Sequence, residues 1–497
     1  MSSRQVSGFL KEKWVTGFLF ALLAGLFLLN FCWKFIQAGS YAPDLGGFER
    51  NVIWGIQRVM AGHPLYSHPD AEPFSMVQYM PLYYYLVAGL AGIAGIDPAD
   101  AHAVYAFARG INLCLSILLI TGIFFLLRRY FRSGLLPAFG FSVLAFLLLD
   151  SFTISGRPDM LKSFFFLSQV FVLVAGNAWK LRYRMASALG LSLLCFLSKQ
   201  DGLLAFGIMP ISFLLAREWK NFLIYGMLSV ALSGLVLLVF QLHYDGNFLV
   251  NVFGALQNGI SISWFMSVFA SFFARHAFLF APALVLAYEF SLEKHPAFRV
   301  LAAGFFLAFF PALFTSLKFG SGPNYFQEAV LLSCLLIPVA FSGLRCTGWF
   351  RFSESRYLLF TLIILLQTGV SAMNWLTGVF LNQEGRLKAA WEADREVALQ
   401  LQVQWPDSKF LLLTDRQWED NLTTLLSEKV INPNRDVSAQ VYSGKDGKAL
   451  QQLNSFVKKS GSLLLVTRKG QNPGFPGLDF LKFRSVEQID GYQIWKK

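Results

Sequence analysis

Apolar positions run along this chain in long blocks broken by short polar stretches. A helix that crosses a bilayer needs about 20 predominantly apolar residues. By that measure the pattern predicts eleven spans, near 14–37, 103–127, 135–152, 160–178, 185–199, 202–217, 221–241, 264–288, 298–317, 324–343 and 357–380. A further run, "MPLYYYLVAGLAGIAG" (80–95), is shorter. If it crossed, every later basic loop would change sides. It is therefore predicted to lie in the outer interface or to dip in and return. Three successive tyrosines, Tyr83, Tyr84 and Tyr85, suit an interface, with rings in lipid and hydroxyls in water. Residues 38–102 then form one long external loop with interfacial helices.

From about residue 385 the pattern changes. "GRLKAAWEADREVALQLQVQW" has the period of an amphipathic helix. "KFLLLTD" and "GSLLLVTRKG" read as buried strands, "LTTLLSEKV" and "GKALQQLNSFVKK" as helices. The last segment reads as a hairpin with Asp490-Gly491 at its turn. The expected architecture is a polytopic α-helical membrane domain over 1–384 and a small α/β domain over 385–497.

Composition agrees, because 55% hydrophobic and only 14% charged residues cannot cover a soluble protein of 497 residues. The net charge of +12 does not point to nucleic acid. The basic residues cluster between apolar runs: Arg128, Arg129 and Arg132; Lys180, Arg182 and Arg184; Arg217 and Lys220; Lys294 and Arg299; Arg345, Arg351 and Arg356. Each cluster follows an even-numbered span, on the side of the N-terminus. The positive-inside rule makes that side cytoplasmic, and the C-terminal domain extracytoplasmic. Arg4, Lys11 and Lys13 precede the first run and no small-residue cleavage site follows it, so it is expected to be a span and not a removed signal. The five cysteines have no paired spacing and suggest neither disulfides nor a metal site.

The outer loops then hold the unusual chemistry. Asp44, Glu49 and Arg50 follow the first span, and Arg109 opens the second. "SGRPDM" brings Arg157 and Asp159, "SKQDG" brings Lys199 and Asp201, and "KFGSGPNYFQE" brings Lys318, Asn324, Tyr325 and Glu328. Arg275 lies within a predicted span, where a charge is costly and usually faces a cavity or a partner. Each has a plainer reading. Asp44 and Asp159 are also good helix caps. Lys199 and Lys318 also suit interfacial snorkelling. His63, His68 and Asp70 lie close together in sequence, a thin basis for a metal site. "SGKDGK" lacks the spacing of a phosphate-binding loop, and no internal repeat is visible.

A set of motifs in this order resembles a known family. They are the early Asp in a long first loop, "AGHPLY" (61–66), "YMPLYYY" (79–85), "FARGINLCLS" (107–116), "GRPDML" (156–161), "FLSKQDGLL" (196–204) and "KFGSGPNYFQEAVLL" (318–332). Together they resemble the GT-C superfamily of integral membrane glycosyltransferases, in the group of protein O-mannosyltransferases and lipid A aminoarabinose transferases. The resemblance implies transfer of a sugar from a polyprenyl-phosphate donor to a lipid, glycan or protein acceptor at the extracytoplasmic face of the inner membrane. It implies a general base at Asp44, with Glu49 as the substitute. Cationic stabilisation of the leaving phosphate would come from Lys199, Lys318, Arg109, Arg157 and Arg275. Asp159, Asn324, Tyr325, Glu328 and Tyr83 would shape the sugar pocket. Some members use a divalent metal, and no residues here are assigned to one. The "DE" pair of many protein O-mannosyltransferases is replaced by "PDLGGFE", which weighs against a protein acceptor. Two other readings compete. A transporter or flippase of a lipid-linked substrate would use charges near the midplane, such as Arg275. A scaffold or sensor would leave the outer charges without a task.

Overall fold

A computed structural model describes residues 3–149, 154–254, 259–340, 380–413, 421–433, 448–460, 462–470 and 483–496. The expected span 357–380, apart from its last residue, and the basic cluster Arg345, Arg351 and Arg356 lie outside the described residues. The helices run as α1 (Ser3–Ala38), α2 (Glu49–Met60), α3 (Leu82–Ile93), α4 (Ala101–Phe125), α5 (Leu135–Leu148), α6 (Asp159–Ala175) and α7 (Leu181–Ser198). A 3-10 segment (Gln200–Gly207) leads into α8 (Ile208–Leu215). Then come α9 (Trp219–His243), α10 (Asn247–Val252), α11 (Ile262–Leu292), α12 (Pro296–Thr315) and α13 (Gln327–Ala340).

Among the described residues, six helical stretches are long and apolar enough to cross a membrane: Thr16–Ala38, Ala101–Tyr130, Asp159–Ala178, Trp219–His243, Ile262–Leu292 and Pro296–Thr315. Three shorter apolar stretches, Leu82–Ile93, Leu135–Leu148 and Gln200–Leu215, accompany them. The short run at 80–95 is thus a helix of 12 residues, too short to span. Its tyrosines differ from the sequence expectation. Tyr83 and Tyr84 are buried, and only Tyr85 is exposed. Tyr83 donates its hydroxyl to the Ala108 carbonyl at 3.3 Å, and Tyr85 meets the Tyr244 hydroxyl at 2.7 Å. The rings therefore pack α3 against protein, because α2 covers them. Gly55 of α2 makes that approach possible, since a Cβ there would stand 2.7 Å from the Tyr84 ring.

The bundle has two chemically different ends. Arg109, Asp159, Lys199 and Lys318 lie at one set of helix termini. Arg128 and Arg129, Lys180, Arg217 and Lys294 follow or precede the opposite termini of those helices and their neighbours.

The C-terminal part begins with α14 (Phe380–Gln404) and continues through β1 (Lys409–Leu412), α15 (Leu422–Leu426), β2 (Val430–Ile431), α16 (Lys448–Lys459), β3 (Leu463–Arg468), β4 (Arg484–Ile489) and β5 (Tyr492–Lys496). The sheet order is β2-β1-β3-β5-β4. β1 pairs parallel with β2 and β3, while β3–β5 and β4–β5 are antiparallel. The β4–β5 hairpin turns at Asp490-Gly491, both at positive φ, as that dipeptide favours. This part rests on the first loop. Trp54 Nε1 donates to Ser427 O at 3.1 Å, Gln57 Nε2 to Thr424 O at 3.1 Å, and Asn432 N to Pro73 O at 2.7 Å.

A candidate active site at one end of the bundle

Three short loops bring the charged residues together. The first follows α1. Gly47 adopts φ +72° there, a left-handed turn that glycine takes without a Cβ penalty. This turn swings residues 44–48 back toward the bundle before α2 begins. The second is Ser155–Pro158, ahead of α6. The third is the Lys199–Gly202 corner between α7 and the 3-10 segment. A Cβ at Gly202 would stand 2.2 Å from the Cys195 carbonyl oxygen, so only glycine lets the chain fold this tightly against α7.

Behind the first loop sits a closed clamp. Glu49 and Arg109 are fully buried and paired bidentately, Nε to Oε1 and Nη2 to Oε2, each at 2.8 Å. Arg109 also donates to the carbonyls of Ser40 (2.9 Å) and Ala42 (2.7 Å). Glu49 accepts the Leu45 N–H at 2.8 Å and the Gly156 N–H. Such pairing satisfies a buried ion pair, and removing one partner would strand the other. Glu49 is thus not available as the substitute base, and Arg109 is not free for a phosphate. Both hold the loop that carries Asp44. Tyr83 likewise packs inside and does not line the cavity in front of this clamp.

In front of the clamp is a cavity of about 350 Å³. Its wall includes Gly46, Gly47, Tyr79, Arg157, Lys199, Lys318, Asn324 and Tyr325. Arg157 donates to the Gly46 carbonyl and, at 3.1 Å, to the Tyr79 hydroxyl, and its Nε lies 3.2 Å from Asp159. Lys199 Nζ meets Asp159 at 2.8 Å, and Asn324 Nδ2 donates to the same oxygen at 2.7 Å. One layer deeper, Lys162 Nζ bridges Asp201 (3.0 Å) and Glu328 (2.9 Å), and Ser163 donates to Glu328. Lys318 makes no ion pair among the described residues. Burial, and then the neighbouring Lys199 ammonium, push its amine down to about 8.

Asp44 is half-buried, two residues ahead of the cavity wall, and accepts the Gly46 N–H at 3.0 Å. Burial, with the Glu49 carboxylate adding to it, pushes its carboxyl up to about 6. Arg157 and Arg50 act in the opposite direction. Arg275 lies elsewhere. It is exposed on the surface of α11, its Nε on the Ser271 carbonyl at 3.2 Å, and it does not line the cavity. His63 faces Glu428 at 2.9 Å, and His68 Nδ1 accepts the Asp70 N–H. Among the described residues no three His, Cys, Asp or Glu side chains come together as metal ligands.

The structure adds residues that the sequence pattern did not single out: Gln78, Gln200, Trp264 and Ser321 on the wall, and Lys162 beneath it. A lysine one turn inside an apolar helix is costly, and that signal could have marked Lys162. The neutral wall residues carry no such signal.

Fold and site together define an integral membrane protein of several apolar helices, with a cationic cavity at one end of the bundle. Two solved structures share that fold: ArnT from Cupriavidus metallidurans bound to undecaprenyl phosphate, and the same protein in its apo state. Their TM-scores are 0.58 and 0.59, at 13% and 12% sequence identity. The alignments cover 97% and 95% of this chain and 98% and 97% of theirs. The likeness is one of fold, and it covers nearly the whole of both chains. No family model matches the chain, and no curated protein matches it in sequence.

Proposed function

We propose that the protein is an inverting glycosyltransferase that moves a sugar from a polyprenyl-phosphate donor to an acceptor hydroxyl. The observation that carries this reading is the joining of three cationic wall residues, Arg157, Lys199 and Lys318, with the loop of Asp44. That arrangement sits in a fold that one solved structure shows with undecaprenyl phosphate bound. The site lies at the helix ends opposite the basic loops, which by the positive-inside rule is the extracytoplasmic face.

In this reading the donor phosphate sits against Lys318 and Lys199. Asp44 takes the proton of the acceptor hydroxyl, a task suited to a carboxylate that titrates near neutral pH. The acceptor oxygen attacks the anomeric carbon as the bond from that carbon to the phosphate oxygen breaks. The electron pair leaves with polyprenyl phosphate, whose charge the fixed cations stabilise. One displacement inverts the anomeric centre. A divalent metal, where one is used, would neutralise phosphate charge; no step here depends on it. The acceptor is a lipid, glycan or protein hydroxyl. Transport of a lipid-linked substrate has less support, because Arg275, its best marker, lies away from the cavity.

The test is transfer by the purified full chain in nanodiscs, with radiolabelled polyprenyl-phosphate sugars and membrane extract as acceptor. Label should move to the extract with inverted anomeric configuration. Folded protein that moves no label from a broad donor panel would sink the proposal.

A further inference from the structure

The charge balance around the cavity bears on the donor sugar, if the cavity is the donor site proposed above. Five carboxylates lie near it, and four are committed. Asp159 is shared by Arg157, Lys199 and Asn324. Asp201 is held by Lys162, with Lys199 at 3.7 Å; one of its oxygens is buried and lacks a partner among the described residues, and the residue is not on the wall. Glu328 is held by Lys162 and Ser163. Glu49 is held by Arg109. The fifth, Asp44, is the base, and the charge of buried Arg50 acts on it. Arg157, Lys199 and Lys162 stand against Asp159, Asp201 and Glu328. Lys318 is left on the wall without an ion pair among the described residues, and one phosphodiester carries the single negative charge that matches it. The rest of the wall is neutral, and its polar and aromatic members include Gln78, Gln200, Ser321, Tyr325 and Trp264. The Gln200 side-chain oxygen has no partner among the described residues. Amides and hydroxyls of this kind suit sugar hydroxyls, and an aromatic face suits a sugar ring.

We infer that the donor sugar is uncharged, a neutral hexose or an N-acylated amino sugar, and that a sugar bearing a free ammonium is rejected. An ammonium in this cavity would leave water and meet three cations and no carboxylate among the described wall residues, since Asp44, the one uncommitted carboxylate, does not line the wall.

The test is competition against radiolabelled polyprenyl phosphate by the full chain in nanodiscs at pH 6.5. Three synthetic donors of one chain length and anomer are compared: a hexose, the same hexose with an amine replacing one hydroxyl, and the N-acetylated form of that amine. The hexose and the N-acetyl form should each bind at least about tenfold more tightly than the free amine, a gap of like-charge repulsion in a partly buried site. Gln200→Glu should narrow the gap, because it adds a carboxylate to the wall and leaves the phosphate-binding cations in place. An amine donor that binds the wild type as tightly as the other two overturns the inference but leaves the lipid-phosphate reading standing. Folded protein that binds neither the labelled lipid nor any donor overturns the proposed function, and this inference with it.

Discussion

Two buried ion-pair clusters share one end of this bundle, and they differ in what each leaves over. In the clamp, Glu49 and Arg109 use each other and four backbone groups, and nothing faces the cavity. In the wall, Arg157 and Lys199 share Asp159 yet still border the cavity, and Lys318 stands beside them without an ion pair among the described residues. The backbone at 155–157 connects the two: Gly156 donates to Glu49, while Asn112 Nδ2 donates to the Arg157 carbonyl at 2.8 Å. A buried charge satisfied on all sides supports geometry, and one with a free side is placed for a ligand.

The largest expected effect separates the two carboxylates of the first loop. Asp44→Asn should lower transfer by about 10²–10⁴-fold, the usual worth of a general base, with donor affinity unchanged in a filter-binding assay. Glu49→Gln should instead act on folding. It leaves Arg109 buried without its counter-charge, at a cost of about 3–5 kcal/mol, read as a lower thermal midpoint in detergent. The double change Glu49→Met with Arg109→Met should recover much of that loss. If Glu49→Gln melted like wild type but failed to transfer, the assignment of clamp and base would be reversed.

Smaller effects refine the wall. Lys318→Ala should raise the donor KM by roughly 10- to 100-fold, the scale of a charge-assisted contact to phosphate, with a lesser change in kcat. The pH profile of kcat/KM should be bell-shaped. It should rise with pH through about 6 as Asp44 loses its proton, and fall above about 8 as Lys318 loses its charge. Lys318→Arg should carry the upper limb to higher pH, since a guanidinium keeps its proton. Arg275→Gln should leave kcat/KM within about twofold, because exposed groups away from a site rarely matter much.

Much of this was legible in the chain. The long apolar blocks gave the bundle. The loops "SGRPDM", "SKQDG" and "KFGSGPNYFQE" met at one cavity because parity places alternate loops on one side. Asp490-Gly491 turned where that dipeptide favours a turn. What the sequence hid was pairing. Glu49 and Arg109 are 60 residues apart, and nothing local says that one consumes the other. Arg275 has the same cost in a helix whether it faces a cavity or the outside, so its direction was not readable. Tyr83 and Tyr84 looked interfacial because their burial depends on α2 lying over them, a tertiary fact. Trp264 and Gln78 had no charge to distinguish them from ordinary apolar or loop positions.

The most direct test of the central claim is a single-turnover comparison of wild type and Asp44→Asn, with the polyprenyl-phosphate donor bound to saturation in both. The account predicts that the variant holds the donor with wild-type affinity and transfers almost none of it. Transfer at close to the wild-type rate would contradict it, and would make Asp44 only a turn-forming residue.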